Sequence, residues 1–157
     1  MNRREFSALL PVLLAAPSLA PAQTASTQTP PAQAAPTPRP LTKLESGQFP
    51  PSAPHGPSST GRTMQQYVLG LLPDDIRLEI HATVLAPGAP MEPINHHKHT
   101  EMWFVREGQV ALMTAGVTRT LKPGDMGICC AGDVHSVGNA STTEPCSYLV
   151  LNVGPPE

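Results

Sequence analysis

Beyond residue 63 the chain is dominated by alternation of apolar and polar positions. In Ile76-Arg77-Leu78-Glu79-Ile80-His81-Ala82-Thr83-Val84-Leu85, the residues Ile76, Leu78, Ile80, Ala82 and Val84 share one parity. Side chains two apart lie on the same face of an extended backbone, so this segment reads as a half-buried strand. His81 falls on its opposite face, in a structural or solvated role. Gln65 to Leu69 reads as a shorter strand before it, separated by a turn at Leu71-Leu72-Pro73-Asp74-Asp75, and Ala86-Pro87-Gly88 ends the long strand. Glu101 to Arg106 and Gln109 to Thr114 flank Glu107-Gly108, a hairpin signal. Ala115-Gly116 turns the chain into Val117 to Leu121, and Lys122-Pro123-Gly124-Asp125 turns it again into Met126 to Cys130. Ala131-Gly132-Asp133 leads to Val134 to Val137, and Cys146 to Val153 closes the series. Short strands at regular spacing, with no amphipathic helix and no internal repeat, predict an all-β sandwich or barrel.

Composition divides the chain. Twelve of its 20 prolines precede residue 58. Between residues 23 and 62 the sequence is mostly Ala, Pro, Thr, Gln and Ser, which bury too little apolar surface to offset chain entropy. That stretch reads as a disordered tether. Residues 63–157 suffice for one domain and are too few for two. The net charge of -2 is spread without a basic stripe, which argues against nucleic acid as a partner.

Residues 1–22 read as an export signal. Arg3-Arg4-Glu5-Phe6 precedes the apolar run Ser7 to Ala16, and Ala20-Pro21-Ala22 supplies an A-x-A end. The paired arginines resemble a twin-arginine signal, so the expected location is periplasmic or secreted. A membrane would be met only through this segment if it stayed uncleaved, and the run is short for a bilayer span. Three cysteines, Cys129, Cys130 and Cys146, allow at most one intrachain bridge and otherwise read as small buried hydrophobes.

Three of the six histidines crowd into Asn95-His96-His97-Lys98-His99-Thr100-Glu101. Asn95, His97, His99 and Glu101 share one parity, and His135 is the candidate partner from a later strand. Imidazoles with a carboxylate suit Mn, Fe, Ni or Zn, and a facial set leaves coordination positions open to a substrate. On residues alone, a solvated histidine cluster near a turn accounts for them equally well. His55 lies in the tether and carries no weight.

Gly88 to Gly108, ending in Glu101-Met102-Trp103-Phe104-Val105-Arg106-Glu107-Gly108, resembles the first cupin motif, in which His-x-His precedes a glutamate and then a glycine. Gly124, Gly132, His135 and Asn139 match the second motif, with Cys130 in its proline position. The resemblance implies a conical β-barrel, the double-stranded β-helix or jelly roll, with a metal held between the two motifs. Carried over residue by residue, His97, Glu101 and His135 would be ligands. Asn95 stands where the motif has its first histidine, and could coordinate through its amide oxygen unless His96 or His99 substitutes.

Two functions follow from that pattern. One is a small protein using a mononuclear divalent metal to act on or bind a small carbonyl- or carboxylate-bearing molecule. The other is a binding module that has lost its metal. Trp103 and Met113 are expected in the core or lining the cavity. Met91, Met102 and Met126 are expected as core or rim fillers, and Arg106 and Lys98 as solvated charges. An apolar outer sheet would make a homodimer possible, by analogy with the family.

Overall fold

The computed structural model describes residues 40–56 and 58–157. The expected export signal lies outside the described residues. Eight strands follow in order: β1 (Arg62–Leu71), β2 (Arg77–Leu85), β3 (Thr100–Glu107), β4 (Val110–Thr114), β5 (Val117–Leu121), β6 (Met126–Cys129), β7 (His135–Asn139) and β8 (Cys146–Gly154). Short 3-10 turns occupy Ser58–Thr60 and Pro73–Asp75. Every strand that alternation predicts is present, with ends displaced by a few residues. Among the described residues no helix is long and apolar enough to cross a membrane.

The strands form two antiparallel sheets, ordered β1-β2-β8-β3-β6 and β5-β4-β7. This is a jelly roll. Its core lies between the sheets: Trp103, Val105, Tyr148 and Val150 of the larger sheet meet Val110, Leu112 and Val137 of the smaller one. Tyr148 and Val110 are wholly buried. Burial holds the Tyr148 phenol up at about 12, against the pull of the neighbouring Arg62 charge.

The parity of β2 is the reverse of the simple expectation. His81, Thr83 and Leu85 face the interior, whereas Val84, on the apolar parity, is 47% exposed. Cross-strand register explains this. Val68, Ile80, Leu151, Met102 and Ile128 form one apolar row across all five strands, on the outer face. The sheet is apolar on both faces, so alternation marks the strand without saying which face is inward. Met126 and Ile128 belong to this outer face and are about half exposed.

Order also begins earlier than the expected tether boundary at residue 62. Residues 42–55 run beside β1: Leu44 N–H donates to Leu71 O at 2.8 Å, Ser52 N–H to Gln66 O at 2.7 Å, and His55 N–H to Met64 O at 2.9 Å. The apolar content of this stretch is too low to form a core of its own. It is ordered instead by pairing the open edge of β1, whose backbone groups need partners. Leu44 and Phe49 border a hollow against Val68, Leu78 and Ile80, covering part of the outer apolar face.

The β3–β4 hairpin depends on Gly108, at φ 67°. A Cβ there would stand 2.2 Å from Pro145 O and 2.8 Å from Cys146 Cα. Gly116 has a similar φ of 78°, but nothing lies within 4 Å of its Cβ position. Gly116→Ala is therefore expected to cost about 1 kcal/mol from backbone strain alone. Gly108→Ala should cost clearly more, because the backbone must also move. Urea unfolding midpoints check this, and equal losses for the two variants would contradict it.

Candidate metal centre

Direct pairing between distant segments assembles the site. The loop before β3 is hydrogen-bonded to β7 and the turn before it: Asn95 N–H donates to His135 O at 3.0 Å, and His135 N–H to Asn95 O at 2.9 Å. Gly132 N–H donates to His97 O at 2.8 Å. Glu92 N–H reaches Val137 O, and Ser136 Oγ donates to Glu92 O at 2.6 Å. On β3, Glu101 shares the inward parity of Trp103 and Val105. The early histidine cluster is thereby held against the late strand that carries His135.

His97, Glu101 and His135 converge, with one donor atom from each lying within 4.8 Å of the others. His135 Nε2 stands 3.0 Å from Glu101 Oε2, and His97 Nε2 stands 3.9 Å from Glu101 Oε1. His99 is 4% exposed, lies 3.3 Å from Glu101 Oε1 through Nε2, and stacks on His97 with ring centroids 4.6 Å apart. Trp103 packs beside His135 at 5.4 Å between centroids. Burial opposes ionisation of Glu101, but the His135 hydrogen bond and charge, aided by His99 and His97, outweigh it and hold its carboxyl below the ordinary value.

This donor set fits a divalent cation. Two imidazoles and an ionised carboxylate, drawn from separate segments, already lie at mutual distances that one ion could span. A buried carboxylate is costly without a compensating positive charge, and a cation at this point supplies one.

Asn95 faces the site through its amide nitrogen. Its Oδ1 accepts the His96 N–H at 2.9 Å, leaving Nδ2 to face His97 Nε2 at 3.2 Å. The oxygen expected as a ligand accepts one hydrogen bond from the neighbouring backbone, and the amide turns its N–H toward His97. His96 is exposed.

The cavity that opens onto these residues measures about 500 Å³ and reaches Arg62, His81, Glu92 and Trp103. Such a volume suits a small molecule. Arg62 pairs with Glu92 and donates to Tyr148 OH at 2.5 Å, so its charge is already partnered. His81 is 9% exposed and lines this cavity, correcting its expected place away from the chemistry. Its Nδ1 stands 3.5 Å from Glu79 Oε1, and Glu79 also pairs with Arg77. Sequence reasoning missed Arg62, Glu92 and this use of His81. For Arg62 and His81 the available signal was a polar residue among the apolar positions of β1 and β2; Glu92 lies in the loop before β3, where alternation gives none. Met113 is buried. Cys129 and Cys146 are buried, Cys130 is exposed, and all three thiols are free. Desolvation raises the Cys129 and Cys146 thiols to about 11 each.

Comparison with known proteins agrees with this architecture. Residues 82–152 match the family described as "Cupin domain". An RmlC-like cupin from Shewanella frigidimarina is 18% identical, with a TM-score of 0.52 over 62% of this chain and 80% of its own. KdgF from Halomonas sp. is also 18% identical, with a TM-score of 0.57 over 72% of this chain and 96% of its own. A conserved protein of unknown function from Streptococcus pyogenes is 17% identical, with a TM-score of 0.50 over 62% and 77%. At these identities the likeness is one of fold. No curated protein sequence matches the chain.

Burial works against ionisation of Glu79, but the adjoining His81 and Arg77 overcome it and lower its carboxyl from 4.5 to about 2. A depressed carboxylate contributes stability above its unfolded value, and that contribution disappears as pH falls through the folded value. Stability should therefore decline from about pH 4.5 toward pH 2, and Glu79→Gln should make the decline shallower. Denaturation midpoints of both proteins across this window provide the check. Parallel curves would contradict the assignment.

Proposed function

The β domain of this chain belongs to the cupin superfamily, and from that premise we propose that it holds one divalent transition metal through His97, Glu101 and His135. In this reading the metal-bearing cavity receives a small carbonyl- or carboxylate-bearing molecule. The observation that carries the proposal is the convergence of these three side chains, from two separate segments, within 4.8 Å. Mn, Fe, Ni and Zn all suit the donor set. When bound, such an ion supplies Lewis acidity toward an oxygen of the guest.

The chain's own residues do the rest. Trp103 and Val137 wall the cavity and limit access of water to the guest. Glu101 stays ionised as a donor, so it is not available as a proton source. His81, backed by Glu79, is the imidazole in the same cavity free to exchange hydrogen bonds with a guest. Because Arg62 is paired with Glu92, an anionic group on the guest is oriented toward the metal end of the cavity.

The second reading, a metal-free binding module, is favoured by Asn95, whose amide N–H points at His97 where the family motif has a histidine. Export is part of the proposal and rests on Arg3-Arg4, the apolar run and Ala20-Pro21-Ala22. A homodimer is proposed from the exposed apolar residues Phe104, Met126 and Ile128 on the outer sheet.

Elemental analysis of the protein purified without added metal decides between the two readings. Near-stoichiometric metal is expected in the wild type and in His55→Ala, with nearly complete loss in His135→Ala. Metal-free wild-type protein that also fails to take up added Mn, Fe, Ni or Zn would leave only the binding module.

A further inference from the structure

The side chain of Glu157 reaches back to the histidine cluster. Its Oε1 accepts the Lys98 N–H at 2.6 Å, and its Oε2 lies 3.3 Å from His97 Nδ1. His99 Nδ1 is 2.8 Å from Oε1 but out of line for a hydrogen bond. Pro155 and Pro156 precede it, and their fixed φ angles restrict the segment that carries the carboxylate.

Hydrogen-bond bookkeeping around His97 has one consistent solution. The His96 N–H fixes the Asn95 amide by donating to Oδ1, so Nδ2 is the atom facing His97. Nδ2 only donates, which makes His97 Nε2 an acceptor. A neutral ring then carries its proton on Nδ1, the nitrogen aimed at Glu157. His99, stacked at an interplanar angle of 13°, holds the ring plane.

We propose that Glu157 is a positioning residue that fixes the Nδ1–H tautomer and orientation of His97, so that the Nε2 lone pair is presented to the cavity beside Glu101. The metal-affinity part of this inference rests on the proposed donor set, whereas the tautomer part does not. A carboxylate on the second nitrogen of a ligating imidazole fixes its tautomer and raises its basicity, and losing such a partner typically weakens metal binding about ten- to a hundredfold. Asn95 acts in the opposite sense, because an ion taking the Nε2 lone pair displaces its N–H.

The test uses the full chain, with Glu157→Ala and Glu157→Gln compared with wild type. At about pH 8, above the ordinary imidazole range, 15N imidazole spectra of the metal-free protein should show His97 as Nδ1–H in wild type. The Ala variant should shift to a mixture of tautomers, and the Gln variant, which keeps an acceptor oxygen, should lie between. Chelator competition with Zn2+ should show about ten- to a hundredfold weaker binding for the Ala variant, with partial recovery for Gln. Thermal melting serves to confirm that both variants fold. An unchanged tautomer in Glu157→Ala overturns the proposal, as does unchanged zinc affinity where the wild type binds zinc. Wild-type protein that binds no zinc, Mn, Fe or Ni overturns the donor-set reading, and the tautomer measurement then decides the role of Glu157 alone.

Discussion

The site depends on the two-hydrogen-bond bridge between the backbones of Asn95 and His135. The residues it joins are forty positions apart in sequence, and neither segment holds a metal-type donor set by itself. The loop before β3 contributes clustered imidazoles and leads directly to Glu101; β7 contributes one more imidazole. Pairing at Asn95, reinforced by Gly132 on His97 O and Glu92 on Val137 O, sets His135 opposite Glu101 at 3.0 Å. Because these are backbone bonds, the geometry is imposed by the fold and does not require any bound guest to create it.

Electrostatics then follows from placement. Glu101 is buried among three imidazoles and remains ionised in spite of that burial. A second polar group, Arg77, Glu79 and His81, lies on β2 and reaches the cavity through His81, and Arg62 with Glu92 lines another side of it. The interior of this jelly roll is therefore divided. Trp103, Tyr148, Val105 and Val110 supply packing, while polar residues of the same inward parity line the cavity. The apolar residues that alternate with those polar ones face outward, toward Leu44 and Phe49 at one edge and solvent at the other.

Much of this was legible in the residues. Strand positions follow from alternation and from Gly, Pro and Asp at the turns. The convergence of His97, Glu101 and His135 was anticipated from the two motifs, which carry a spatial relation that spacing alone does not. What alternation left undetermined was the sense of burial in β2, because Ile80 and Leu151 look the same whether they face a core or an outer sheet surface. The contribution of His81 was hidden by that ambiguity. Glu157 and Arg62 were hidden for another reason: each reaches its partner through pairing distant in sequence, His97 sixty residues away in one case and Tyr148 eighty-six in the other. The covering of β1 by residues 42–55 is not legible in composition, because low apolar content suggests disorder whereas an open strand edge needs only backbone partners.

The most direct test of the account is a crystal structure of the metal-soaked protein, with data collected at the absorption edge of the added ion. The account predicts one anomalous peak per chain, bonded to His97 Nε2, His135 Nε2 and a carboxylate oxygen of Glu101. No peak there, or a peak held instead by His97 Nδ1, His99 and Glu157, would contradict it.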